Sequence, residues 1–347
     1  MRGDQPRTND DDRRALRLEN YTHPYFPEDK SEQALEQAHN VGNGTGGTGA
    51  EVRPARAIRE GRTQEEYQQR LAEARNWIQG IVEAAKAEED VWTDNGGKHQ
   101  EGNMQETIRG YYDTLANLGV ISDQRAQTWA NLAATGAGDD EVAWSAAFVS
   151  HVVNEAGVTP ADGFRFSYRH LHYVTYALLN RKNDDAFGTV FPSPVRLFGP
   201  DEVDPRPGDL LCKNRGGNTF SLAEIESRFL SSESTEQGTV YTPSEPMEDI
   251  SGASHVDVVV ASEEKNGDRF IETVGGNTYD YRPGIRDTVG RKRWKLTGDG
   301  WAMVDGNDQV LDQGADPVWD WDDDRVFGVV RIVDDRILEE MPGGFRT

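Results

Sequence analysis

The chain has 347 residues, which is enough for one large domain or two ordinary ones. Its formal net charge is −24, from 61 acidic and 37 basic side chains. This balance argues against nucleic acid and anionic membranes as partners, because both attract clusters of basic residues.

Composition also limits the chemistry of the chain. The acidic, lysine-poor surface fits either a salty habitat, where ions screen self-repulsion, or a genome of high GC content. A lone cysteine, Cys212, excludes an intramolecular disulfide. It lies in a short apolar run and is expected to be buried. With seven scattered histidines no zinc spacing appears, so we predict neither a metal site nor a cofactor.

Residues 1–62 are polar, acidic and interrupted by a glycine-rich tract at 42–49. Such a segment buries too little apolar surface to order itself, so we predict an extended arm that runs across neighbouring subunits. The arm therefore indicates a homo-oligomer or a part of a larger assembly. We expect no signal peptide in its polar first residues, and no run reaches the roughly 20 apolar residues that span a bilayer.

Residues 63–180 are expected to be mainly helical. Thr63 and Glu66 match a capping box, and apolar residues then recur at helical spacing to about residue 89. The same spacing predicts further helices over residues 104–118, 122–135 and 168–180.

One helix carries a candidate nucleophile. Residues 139–157 have an acidic start, an apolar stripe and a closing glycine, which predicts a capped helix of about four turns. Ser145 lies near its beginning, where free amides and the partial positive charge of the helix stabilise a developing negative charge. Its hydroxyl is therefore a candidate nucleophile. The simpler alternative is that Ser145 is a small residue at a helix start.

The C-terminal half, residues 205–335, is expected to be mainly strands. Residues 253–260 alternate so that His255, Asp257 and Val259 share one face. Residues 270–277 form the next strand, and the Asn-Gly sequence between the two predicts a hairpin. The long insertion at residues 212–253 is expected to line one side of a cleft.

A helix-borne nucleophile, a strand-borne histidine and a polar residue at the end of the next strand follow the chain order of papain-like hydrolases. Residues 144–150 resemble the nucleophile helix of NlpC-type and CHAP cell-wall amidohydrolases, in which cysteine stands at the position of Ser145. Three further segments resemble their first strand, their histidine strand and the position of their third catalytic residue: residues 207–211, residues 255–259 and residues 275–277.

The chain also resembles a bacterial and phage family of unknown function, allied to these enzymes, that carries serine in place of the cysteine. That family has a Ser-x-x-His-x-x-Tyr segment, which Ser167, His170 and Tyr173 match. The resemblance covers roughly residues 70–335. For His170 a packed, hydrogen-bonded histidine is the simpler alternative.

The resemblance implies an α+β, papain-like domain over residues 63–335, with a helical part packed on an antiparallel sheet. The arm precedes this domain, and residues 336–347 form a tail. In the implied site Ser145 is the nucleophile, His255 the general base and Asn277 the residue that orients the imidazole. Substrate contacts are expected from Trp144, His170, Tyr173 and Asp257.

Two functions stay open. The first is a phage virion- or tail-associated amidase or peptidase that cleaves a peptidoglycan-type polymer. The second is a catalytically inactive virion structural or host-envelope-binding protein on the same fold, favoured by the serine and by the acidic arm. Both imply a virion or extracellular location, contact with an envelope polymer and contact with other virion proteins through the arm.

Overall fold

A computed structural model describes residues 64–94, 104–135, 144–187, 193–215, 219–235, 238–278, 288–298, 300–311 and 325–333. The chain divides into two units, Met1–Gly61 and Arg62–Thr347, and all of the described residues belong to the second. The predicted arm and the predicted tail both lie outside the described residues.

The described part is a mixed α+β structure in which helices precede most of the strands, so the α+β class that the sequence predicts is confirmed. None of its helices is both long and apolar enough to cross a bilayer. The helices are α1 (Gln64–Asp94), α2 (Met104–Asn117), α3 (Asp123–Thr135), α4 (Ser145–Glu155), α5 (His170–Phe187) and α6 (Leu222–Phe229), with a 3-10 turn at Pro160–Asp162. The strands are β1 (Arg196–Phe198), β2 (Leu210–Asn214), β3 (Leu230–Thr235), β4 (Gly238–Pro243), β5 (Ser254–Lys265), β6 (Asp268–Thr278), β7 (Thr288–Thr297), β8 (Gly300–Val304) and β9 (Val326–Arg331).

Seven of these strands form one curled antiparallel sheet in the order β1-β9-β2-β5-β6-β7-β8. β3 and β4 pair separately as a hairpin. Asn266 and Gly267 join β5 to β6 with φ of 57° and 84°, as the Asn-Gly hairpin prediction requires.

Each face of the sheet carries a cluster of buried apolar residues. The face turned toward the helices belongs to the large core, and β5 supplies Val256 and Val258 to it. The opposite face holds a smaller cluster that includes Val259, Trp294 and Trp301. Because side chains alternate along a strand, this arrangement puts His255 and Asp257 on the face of the smaller cluster.

Helix α4 is shorter than the sequence suggests. It begins at Ser145, with Trp144 as an N-cap that makes no side-chain capping hydrogen bond. The acidic residues expected to cap it precede the helix and lie outside the described residues. At the other end Gly157 adopts φ of 85°, which ends the helix as predicted. Ser145 therefore occupies the first turn, where backbone amides have no partner within the helix.

The insertion at residues 212–253 is not an irregular loop, because it contains α6 and the β3–β4 hairpin. Ser221 caps α6 by accepting a hydrogen bond from the Glu224 amide. The Asn183 side chain on α5 bonds both backbone groups of Tyr241, at 3.0 and 2.8 Å. The insertion is thereby attached to the helix that supplies His170.

Gly276 allows β6 to pass very close to α4. A Cβ at this position would lie 2.7 Å from the Phe148 side chain and 2.8 Å from the Trp144 ring. Both rings are buried, so neither has free space into which it can move. The glycine therefore sets the distance between the helix and the sheet.

We predict that Gly276→Ala lowers the free energy of unfolding by about 1–3 kcal/mol, because the added methyl group overpacks a filled core. Gly110→Ala is the control, since a Cβ there meets nothing within 4 Å in the interior of α2. It should stabilise by about 0.5–1 kcal/mol through helix propensity. Urea unfolding measures both changes, and a Gly276→Ala variant as stable as wild type would contradict the packing described here.

Candidate functional site

Ser145 makes its hydrogen bond with His170 and not with His255. The Ser145 Oγ lies 2.7 Å from His170 Nε2. Each residue occupies the first position of its helix, α4 for the serine and α5 for the histidine. Both side chains are buried, with 2% and 6% exposure. The sequence-based expectation of a direct Ser145–His255 pair is therefore corrected.

Tyr173 contacts the other nitrogen of the same ring. Its hydroxyl forms a short hydrogen bond with His170 Nδ1 from one turn further along α5, in keeping with the predicted three-residue spacing. A neutral imidazole carries a single N–H, so the two hydrogen bonds of His170 are linked. When Nδ1–H donates to Tyr173, Nε2 is free to accept the proton of Ser145.

His170 is held in its neutral form. Burial lowers the pKa of its imidazole well below the usual value of 6.5. Nearby groups lower this pKa further, and Asp257 opposes them only in part. The groups that lower it are His255, Arg215 and Lys213.

His255 forms a second pair with Asp257, on the face of the smaller cluster. Its Nε2 lies 2.8 Å from Asp257 Oδ1. The His255 ring meets the His170 ring edge-on, with 5.3 Å between the ring centroids. The Ser–His pair of the helices and the His–Asp pair of the sheet are thus in contact through their imidazoles.

Asp257 is completely buried between two lysines. Its Oδ2 lies 2.9 Å from Lys213 Nζ and 3.8 Å from Lys292 Nζ. Burial alone would raise the pKa of this carboxyl, but the lysines and His255 together bring it well below its usual value. Asp257 is therefore ionised.

His255, the partner of Asp257, is uncharged. Burial lowers the pKa of this imidazole to about 3, although the adjacent Asp257 acts in the opposite direction. At neutral pH an ionised carboxylate therefore faces an uncharged imidazole. Because a carboxylate only accepts hydrogen bonds, the ring nitrogen that faces it carries the proton.

Asn277 does not take the orienting role that the resemblance implies. It lies half-buried near the end of β6 with φ of 52°, and within the described ranges no hydrogen bond joins it to His255. Asp257 lies beside His255 instead. The preceding Gly275 makes room for this carboxylate, because a Cβ there would lie 1.8 Å from Asp257 Oδ1.

The residues expected to contact substrate occupy different environments. Trp144 is 2% exposed and stacks on Trp92 with 4.9 Å between centroids, so it anchors α4 in the core. Tyr173 and Asp257 are at most 1% exposed and face the two imidazoles. Trp144, Tyr173 and Asp257 are therefore buried residues that position the site, whereas His170 contacts the candidate nucleophile itself.

Ser167 belongs to a separate serine–histidine pair. Its Oγ lies 2.8 Å from His172 Nδ1, and His172 Nε2 lies 3.2 Å from the Ile250 carbonyl. Since a carbonyl can only accept, Nε2 carries the proton and Nδ1 accepts from the Ser167 hydroxyl. This pair fastens the start of α5 to the segment before β5.

Sequence reasoning missed the lysines. Lys213 lies directly opposite His255 in the β2–β5 register, in a strand whose residues are all buried. A lysine in an apolar strand predicts a buried acidic partner, and Asp257 was available on the neighbouring strand. Lys292 and Thr273 complete the surroundings of the carboxylate, with Thr273 Oγ1 3.4 Å from Asp257 Oδ2. Among the described residues no group of three or more His, Cys, Asp or Glu side chains could hold a metal ion.

The family described as an uncharacterized protein conserved in bacteria (DUF2272) matches residues 113–319, more than half of the chain. The chain belongs to this family. The matched range contains Ser145, His170, His255, Asp257 and Lys213. No curated protein and no solved structure matches the chain.

We predict that Lys213→Met lowers the free energy of unfolding by about 3–5 kcal/mol at neutral pH, because Asp257 loses its closest cation while buried. In wild type the lowered pKa of Asp257 adds stability above the unfolded pKa of about 3.9, and this is lost as the pH falls. In the variant burial raises the pKa of the Asp257 carboxyl above its unfolded value, so the free energy of unfolding falls as the pH rises from about 4.

Urea unfolding at pH 4 and pH 7 checks this prediction, since the difference between Lys213→Met and wild type should grow with pH. Lys265→Met is the matched control. Its ion pair with Asp308 lies at the surface, with the lysine side chain 55% exposed, and its loss should shift the midpoint little at either pH. A Lys213→Met variant that resembles this control would show that the buried pair is not required.

Proposed function

We propose that this chain is a hydrolase of amide bonds in a cell-wall polymer, with Ser145 as nucleophile and His170 as general base. The observation that carries the proposal is the 2.7 Å contact between the Ser145 hydroxyl and Nε2 of a neutral His170. A serine hydroxyl is a weak nucleophile unless a positioned base removes its proton. The contact supplies that base.

The reaction follows from this geometry. Ser145 Oγ forms a bond to the carbonyl carbon of the amide while its proton passes to His170 Nε2. The C–N bond then breaks, and the protonated His170 gives its proton to the departing amine nitrogen. Water next attacks the acyl ester, His170 takes one of its protons, and the C–O bond to Ser145 breaks as the hydroxyl recovers a proton.

Two features of the site support this reaction, one at the oxyanion and one at the His170 imidazole. Ser145 is the first residue of α4, and the amides of this first turn, which have no partner within the helix, stabilise the oxyanion of the tetrahedral intermediate. The Tyr173 hydroxyl is hydrogen-bonded to His170 Nδ1 and so orients the ring, and the proposed reaction uses the tautomer in which Nδ1–H donates to Tyr173 and Nε2 is basic. The two ring nitrogens of His170 are bonded to Ser145 and Tyr173, so Asp257 acts on this ring only through its charge, which favours the protonated form.

The papain-like resemblance supports the substrate class. A helix-borne nucleophile packed on an antiparallel sheet is the arrangement that it implies, and the packing of α4 against β5 and β6 of the sheet is compatible with it. Within that resemblance the substrates are amide or peptide bonds of peptidoglycan-type polymers. The virion or tail setting stays a prediction, because the arm that motivates it lies outside the described residues.

The second candidate is a structural or envelope-binding protein that does not catalyse hydrolysis. It is favoured by the depth of the site, where Ser145, His170 and His255 are each at most 6% exposed. A buried polar network of this kind also stabilises and specifies a core without any reaction. Activity measurements separate the two candidates.

We predict that purified protein releases soluble fragments from isolated bacterial envelopes, and that Ser145→Ala lowers the rate about 1,000-fold or more. Ser145→Cys should keep activity, because a thiol ionises more readily than a hydroxyl. Ser227→Ala, which removes an exposed serine from α6, is the control and should act like wild type. Equal release by wild type and Ser145→Ala would exclude Ser145 as nucleophile, and no release by any form would favour the second candidate.

A further inference from the structure

His255 is the side chain next to the Ser145–His170 pair, and the proposed reaction does not use it. Its ring lies against His170 with 5.3 Å between centroids, and 5% of the residue is exposed. The lone pairs and protons of a buried imidazole are normally all hydrogen-bonded. How the two ring nitrogens of His255 are satisfied is therefore informative.

Asp257 determines whether Nε2 of His255 carries the ring proton. The two atoms lie 2.8 Å apart, although off the line of a well-aligned hydrogen bond. The carboxylate is fixed as an anion by Lys213 and Lys292. An anion on this side retains the ring proton on Nε2, so the opposite nitrogen, Nδ1, carries a lone pair.

Nδ1 of His255 is buried and has no hydrogen-bond partner among the described residues. A buried acceptor without a donor costs about 1–3 kcal/mol, so such atoms are rare in folded proteins and mark sites with another purpose. Protonation of this nitrogen does not remove the cost at neutral pH, because the pKa of His255 is lowered to about 3. Only a group that donates a hydrogen bond satisfies it.

We infer that His255 Nδ1 binds a hydrogen-bond donor of the substrate, an N–H or O–H on the group attached to the carbon that Ser145 attacks. This inference rests on the proposed function. An amide offers such a donor as the N–H of its leaving side, whereas an ester or a tertiary amide does not. His255 thus selects for primary and secondary amides, with Asp257 as a positioning residue that fixes its tautomer.

Phenylboronic acid tests the inference without knowledge of the natural substrate. Its trigonal boron accepts the Ser145 oxygen while the hydroxyl proton passes to His170, which leaves a tetrahedral adduct bearing two B–OH donors. Binding to the full chain is measured by isothermal titration calorimetry. Ser145→Ala should abolish binding, and the unfolding temperature of each variant confirms that it is folded.

Two substitutions of His255 distinguish the contribution of Nδ1 to binding from that of Nε2. In His255→Asn the amide oxygen occupies the place of Nδ1 and the contact with Asp257 is lost. In His255→Gln the amide occupies the place of Nε2 and the Nδ1 acceptor is lost. The inference predicts affinity within about threefold of wild type for His255→Asn, and a loss of about tenfold or more for His255→Gln and His255→Leu.

The reverse order, with His255→Gln tight and His255→Asn weak, would overturn the inference, since the role of His255 would then lie in its contact with Asp257. Equal affinities for wild type and all three variants, or an equal loss in all three, would overturn it as well. Wild type that fails to bind the boronate through Ser145 contradicts the proposed function itself and removes the inference with it.

Discussion

The close packing of helix α4 on strand β6 is the constraint on which the site depends. Gly276 lets the backbone of β6 approach the Phe148 and Trp144 side chains, and a single added methyl group would lie within 2.8 Å of both. Trp144 is in turn stacked on Trp92. Ser145, next in sequence, therefore has a fixed position at the helix start, where its hydroxyl meets His170.

The charges beneath the site are arranged so that both imidazoles stay neutral while one carboxylate stays ionised. Burial opposes charge on every one of these groups, and Asp257 remains an anion only because Lys213 and Lys292 lie within 4 Å of it. A neutral His170 is the form that can accept a proton from Ser145. The low pKa also makes it a weak base, so the proposed reaction depends on alignment and on the oxyanion amides as well as on basicity.

Sequence periodicity predicted the local elements well, because helices and hairpins are set by short-range patterns. The helix over 104–118 was predicted from apolar spacing, and Asn266-Gly267 from turn chemistry, and both are present. The start of α4 was predicted too early, because the helix begins at Ser145 with Trp144 as an N-cap that makes no side-chain capping hydrogen bond.

Sequence periodicity could not predict which side chains contact one another in the site. His170 and His255 are both suited to act as a base. Which of them contacts Ser145 depends on how the start of α5 packs against the start of α4, and local sequence patterns do not contain this tertiary contact. The simpler interpretation of His170 as a packed, hydrogen-bonded histidine was correct in itself, but its partner is the candidate nucleophile. Lys213 was overlooked because its strand reads as apolar, and only the β2–β5 register places it opposite His255.

The central claim is that a neutral His170 activates Ser145, and the rate of Ser145 modification by an alkyl fluorophosphonate tests it most directly. Intact-mass measurements from pH 5 to 8 follow a single adduct without any need for the natural substrate. Because the pKa of His170 lies well below its usual value, the account predicts a rate that does not fall toward pH 5, and near-complete loss of labelling in His170→Ala. An unmodified Ser145, a rate that falls below about pH 6.5 as for an ordinary histidine, or equal labelling of His170→Ala would contradict it.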